Sequence, residues 1–137
     1  MHLPNINGQF VYRSLLNNPS VGEDFSNLRL GAGIMKFVQN ENGGITGSFE
    51  MGGGLNMNLE GSVYADGKAY FLRLTAKGIS NTATNGWIYD YIGTITPEWP
   101  KGTRQLQTIT GSVIRTVDHG NSKAGLTASF YMVHKDN

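Results

Sequence analysis

Trp87, Tyr89 and Tyr91 recur at every second position, and Arg115 stands in a second alternating run with Ile109, Gly111, Val113 and Val117. Residues two apart on an extended strand share a face. Turned the same way, the two runs bring three aromatic rings and one cation into a single space. A guanidinium and phenols donate hydrogen bonds to a carbonyl or carboxylate, while the rings supply apolar walls, which is how small-molecule sites are built. A register set by a loop over residues 97–104 places Trp87 near Arg115, Tyr89 near Val113 and Tyr91 near Gly111. Tyr70, Phe130 and Met132 fall on the same inward face, with Gln107 and His134 at its rim. Trp99, between Pro97 and Pro100, either folds over that rim as a lid beside Gln107 and His134 or docks on a neighbouring subunit. Aromatics in such numbers also allow the bland outcome, a barrel plugged by its own side chains with Arg115 stacked on Trp87.

Three of these residues, Tyr89, Tyr91 and Arg115, are candidates to polarise a substrate or move a proton. Asp90 lies between Tyr89 and Tyr91 and so points outward with Glu50 and Glu60. Only an inverted strand brings Asp90 into the lumen, where a carboxylate serves as general base. Other chemistries find little support. His2, His119 and His134 are too scattered for a metal motif, and Asp118-His119, being adjacent, point to opposite faces of a strand. Cysteine is absent, which removes disulfides and thiolate chemistry together. No metal and no cofactor is expected.

The elements that must hold these side chains are strands. Residues 6–16, 28–39, 44–51, 55–65, 68–79, 86–96, 105–119 and 123–134 each read as extended, with no helical period or capping signal between them. The facing of the first is ambiguous, since Phe10/Tyr12 and Val11/Leu15 both suit a core. Residues 17–27 form a polar loop. Turn lengths then fix partners. The glycines at 52–54 put Phe49 beside Met57 and Gly47 beside Leu59. Gly120-Asn121 puts Gly111 beside Phe130 and Ile109 beside Met132. Asp66-Gly67 puts Val63 beside Tyr70 and Leu59 beside Leu74. At residues 40–43 (NENG), a two-residue turn would place Lys36 inside, whereas a three-residue turn places Met35 and Phe37 inside and leaves Lys36 in solvent. The second avoids burying an unpaired ammonium. Small residues repeatedly meet large ones, as a narrow lumen requires.

Eight such strands joined by hairpins make a single closed antiparallel β-barrel spanning residues 1–137, all-β, wide enough for side chains or one small ligand. Glycine, 19 of 137, is about twice its usual ~7% and sits at turns and barrel bends. In strand number, size and hairpin spacing the chain resembles the up-and-down barrels: avidins, lipocalins and fatty-acid-binding proteins, and allene-oxide-cyclase-like proteins. The resemblance is architectural. Only Trp87 and Trp99 stand against the lumen tryptophans of avidins, and Gly8-Gln9-Phe10 replaces the Gly-x-Trp of lipocalins. It implies a fold and carries over no site residue.

Eleven Lys and Arg against ten Asp and Glu, a net charge of +1, leave no electrostatic footprint for nucleic acid. No apolar run crosses a bilayer and no signal peptide opens the chain, so a cytoplasmic protein is expected if Met1 is its natural start. Phe71, Ile88, Ile92, Ile114, Tyr131 and Val133 fall on the outer face, which points to a homo-oligomer, a dimer or tetramer. The leading expectation is a barrel that binds a small, largely apolar molecule in its lumen. A cofactor-free cyclase or isomerase using the same lumen is the alternative.

Overall fold

Alternation of apolar and polar residues, interrupted only at turn glycines, folds this chain into one closed ring of strands. The computed structural model describes residues 2–135. The strands are β1 (Gly8–Leu16), β2 (Arg29–Gln39), β3 (Gly44–Glu50), β4 (Asn56–Asp66), β5 (Ala69–Gly78), β6 (Ile88–Ile95), β7 (Thr108–Arg115) and β8 (Thr127–His134). Each pairs antiparallel with its chain neighbours, and β8 closes on β1. All-β architecture and a closed eight-stranded barrel follow.

The ring encloses one core. Phe10, Tyr12 and Ser14 face inward from β1, which settles the strand whose facing the sequence leaves open. Met35 and Phe37 face inward from β2, opposite Phe49 and Gly47. Lys36 therefore lies outside, where its Nζ meets Glu50 Oε1 at 3.2 Å. Phe49 opposes Met57, Gly111 opposes Phe130 and Ile109 opposes Met132, as the turns at 52–54 and 120–121 require.

Two registers differ from expectation by two residues, which keeps every side chain on its face but changes its neighbour. In the β4–β5 hairpin the turn is Gly67-Lys68, not Asp66-Gly67, and Val63 opposes Leu72 while Tyr70 opposes Ala65. Gly67 has φ +61 and Lys68 is not in the left-handed region, so glycine takes the first central position of the turn, where positive φ is needed. Between β6 and β7 the ladder ends at Ile95–Ile109, and Tyr89, not Trp87, opposes Arg115. Residues 105–107 belong to the loop because the Gln105 amide clamps Trp99, donating from Nε2 to its carbonyl (2.8 Å) and accepting from its N–H at Oε1 (2.5 Å).

Two further departures are local. One helical turn, α1 (Phe25–Leu28), follows Asp24, whose carboxylate accepts from Ser26 N at 3.0 Å as an N-cap. Four residues are too short to show a period. Between β7 and β8, residues 116–126 leave the ladder. His119 and Ser122 exchange backbone hydrogen bonds of 2.9 Å around Gly120-Asn121, and Ala124 N donates to Asp118 Oδ1. Val117 and Ala124, which a continuous hairpin closed at Gly120-Asn121 would pair, do not extend the ladder.

One end of the barrel is stoppered by the segment before β1. Ile6 is fully buried, and Gln39 ties the segment down: Oε1 accepts from Ile6 N (2.8 Å) and Nε2 donates to Pro4 O (3.0 Å). Among the described residues, no helix is long and apolar enough to cross a membrane.

Candidate functional site

The opposite end is open. Ladder positions bring Trp87, Tyr89 and Tyr91 along β6 toward this mouth, and β7 ends there at Arg115. Around them lies a cavity of about 270 Å³, walled by Leu30, Phe49, Met51, Leu55, Met57 and Val113. The walls are apolar and the polar groups are few and specific.

At the rim, Arg115 Nε donates to Tyr89 Oη at 2.9 Å, and Tyr89 Oη lies 2.8 Å from His119 Nε2. A guanidinium can only donate, so Tyr89 Oη accepts from Arg115 and keeps its own proton and a second lone pair for the imidazole; the tautomer of His119 sets the direction of that second bond. Burial, and secondly the positive charge of Arg115, hold His119 below the ordinary imidazole range. Its ring stacks on Trp87 at 4.1 Å and 20°. Arg115 is steadied further by donating from Nη1 to Lys123 O (3.1 Å). The excursion of residues 116–126 creates this arrangement, because a regular hairpin would have carried His119 away along the strand axis.

Deeper in, the rings of Tyr12 and Tyr91 meet edge-on at 5.8 Å, and Ser14 donates from Oγ to Gly31 O at 3.4 Å. Burial raises the Tyr12 phenol and lifts Tyr91 well above the usual range, Tyr12 adding to the effect. Both stay protonated at any physiological pH and present hydroxyls to whatever enters. Below them the lumen is filled. Phe130 packs between Tyr12 (5.8 Å) and Tyr91 (5.5 Å), and Met132 is fully buried beside Ile109.

The expected lining is thus divided among three places. Trp87, Tyr89, Tyr91 and Arg115 come together at the mouth. Phe130 and Met132 are packing beneath the site and do not line it. Tyr70, Trp99 and Gln107 lie at the stoppered end, beside a separate groove outside the lumen. His134 is also at that end, its ring edge-on to Phe10 at 5.1 Å and its Nε2 near Asn7 O. Trp99 stands at the Gln107 rim where it was expected, 76% exposed, and so at the end opposite the open mouth. Asp90 is on the outer wall, between Thr75 of β5 and Ile114 of β7, and its carboxylate accepts from Thr75 Oγ1 (2.6 Å) and Thr116 Oγ1 (2.5 Å). It does not enter the lumen, so a general-base role there is lost. Arg115 does not stack on Trp87; His119 does.

Tyr12, Ser14 and His119 are site residues that the sequence reading passes over. A signal for the first two existed: Met35 and Phe37 facing inward put Gly31 and Gly33 on the same face, and a face so empty calls for a large partner opposite, which Tyr12 supplies across from Gly33. Among the described residues, no group of three or more His, Cys, Asp or Glu converges as a metal site.

No protein-family model, curated protein or solved structure matches the chain. The likeness to avidin, lipocalin and cyclase barrels stays at architecture, and the site is read from its own side chains.

Proposed function

We propose that the barrel binds one small, largely apolar molecule at its open mouth, with a carbonyl or carboxylate held at Arg115. The observation that carries this reading is the cavity of about 270 Å³ whose apolar wall is broken by a guanidinium at the rim and hydroxyls at the base. Arg115 uses two of its five N–H groups on Tyr89 and Lys123, which leaves three for a ligand. The volume lies just under the usual range of roughly 300–1,000 Å³ for ligand sites, so the occupant is compact.

The test is native mass spectrometry of protein from its own host, to find a co-purifying molecule, followed by titration of that molecule into Arg115→Met. Loss of a charge-assisted hydrogen bond weakens binding by about ten-fold or more. Unchanged affinity in the variant removes the assignment.

One observation favours a second reading, a cofactor-free cyclase or isomerase. Arg115, Tyr89 and His119 form a continuous hydrogen-bonded chain ending on an imidazole, an arrangement able to pass a proton to or from a bound substrate. Catalysis requires turnover that falls in Tyr89→Phe more steeply than binding does. Equal loss of both leaves the binder.

A further inference from the structure

We propose a second ligand site at the stoppered end of the barrel, on its outside, specific for a small aromatic carboxylate. The groove there is about 460 Å³, larger than the mouth cavity and within the usual range for ligand sites. It is bordered by Tyr70, Trp99 and Leu106 and by the charged side chains of Lys68, Arg104 and Glu98.

Three observations point to a ligand. The first is that Trp99 is 76% exposed and Leu106 46% exposed, apolar surface that a folded chain ordinarily hides. The second is that the loop presenting Trp99 is already ordered. Pro97 and Pro100 restrict it, Gln105 clamps both backbone groups of Trp99, and Gly102 N donates to Trp99 O at 3.1 Å. An indole held out on a rigid loop loses little entropy when a ring lies against it. Arg104 completes the loop at φ +57, a left-handed conformation that costs a non-glycine residue and is concentrated where function maintains it.

The third observation sets the ligand's charge. Among the described residues, neither Lys68 nor Arg104 stands in an ion pair, and they outnumber Glu98 on the groove. An aromatic plane matches Trp99 and Tyr70, and a carboxylate matches the two cations, with Arg104 able to hold it through two parallel N–H bonds.

The test uses 2-naphthoate and its neutral isostere 2-naphthamide, titrated into the full chain and followed by ¹H–¹⁵N NMR. Trp87 at the mouth and Trp99 at the groove give separate indole N–H signals, assigned with Trp99→Phe. Naphthoate should move Trp99 and the amides of residues 104–107 and leave Trp87 still. Naphthamide should bind at least ten-fold more weakly, and so should naphthoate to Lys68→Gln/Arg104→Gly. Glycine tolerates the positive φ at position 104, so that variant loses charge without losing the loop, and unshifted core signals verify it. The proposal is overturned if naphthamide binds as well, if only Trp87 moves, or if nothing moves at the solubility limit. It is equally overturned if the Trp99 signal shifts with protein concentration alone, because a second copy then fills the groove. A shift of Trp87 reports on the mouth and not on this groove, and the other results leave the reading of the mouth untouched.

Discussion

Phe130 supports the floor of the mouth cavity, the rings of Tyr12 and Tyr91, because a missing side chain on β6 makes room for it. A Cβ built on Gly93 would lie 2.8 Å from Ile109 Cγ2 and 3.0 Å from Phe130 Cζ, against an ordinary carbon contact of about 3.5–4.0 Å. Gly93→Ala must therefore push the ring or the isoleucine aside. Overpacking of this kind costs about 1–3 kcal/mol, offset by about 0.5–1 kcal/mol because alanine loses less conformational freedom than a strand glycine. A net loss of about 1–2 kcal/mol is expected. Phe130→Leu alone removes buried ring atoms and costs about 1–2 kcal/mol. Leucine has no atom at the Cζ position, so in the double variant the new methyl meets only Ile109 Cγ2 and, at 3.3 Å, the Thr110 carbonyl. The two changes together should then destabilise by about 1 kcal/mol less than their sum, a coupling typical of residues in contact. Urea denaturation of the four proteins, with equal m-values as a check on the unfolded state, measures it. Additivity to within about 0.4 kcal/mol refutes the packing described for the lumen, and with it the placing of the floor.

Acid should weaken the fold through His119. Its pKa lies below the unfolded value because of burial first and Arg115 second, so as pH drops below about 6.5 the unfolded chain takes up a proton that the folded chain refuses. Stability falls until the folded pKa is passed; urea midpoints between pH 7.5 and 5.5 should decline, and His119→Gln should flatten that decline. Gln39→Ala removes the two side-chain hydrogen bonds that pin the stopper to Ile6 and Pro4, at about 1–3 kcal/mol, and should speed hydrogen exchange at the Ile6 amide. Protection unchanged from the parent would show that packing of Ile6 alone holds the end shut. Self-association through the outer wall is tested at Ile92, 49% exposed beside Ile114: sedimentation equilibrium should give a mass above the monomer's, returned to the monomer's by Ile92→Lys. A monomer at all concentrations removes that expectation.

The barrel wall was legible because a two-residue period leaves each strand only two choices, and the large residues decide between them. Met57, Leu59 and Val63 have no second face on which to sit, and Gly47, Gly61 and Gly111 then fall inward by parity. Parity survives a register slip of two, which is why Val63 and Tyr89 kept their face while changing partners. Turn position, by contrast, depends on which residue takes positive φ, and Asp66-Gly67-Lys68 offers its glycine to either of two hairpins. Long loops carry no register at all. The 17–28 connection left β1 unpaired in sequence terms, so Tyr12 and Ser14 stayed hidden until Gly31 and Gly33 were seen opposite them.

His119 was illegible for a different reason, and its case locates the chemistry. In a continued ladder it would be one more hairpin residue. Gly125, at φ +96, lets its N–H reach Arg115 O at 2.8 Å while Leu126 O accepts from Arg115 N, and the chain between swings out as a closed excursion. That departure carries an imidazole onto Trp87 and within 2.8 Å of a phenol already bonded to Arg115. Local rules are broken where a side chain must be re-aimed. Alternation builds the wall and fills the lumen, whereas the imidazole at the mouth is delivered by the segment that leaves the alternation. Restoring a continuous hairpin there, by replacing residues 116–125 with a two-residue turn so that Arg115 still faces Leu126, should leave a folded barrel that has lost both the His119–Tyr89 bond and whatever the mouth holds.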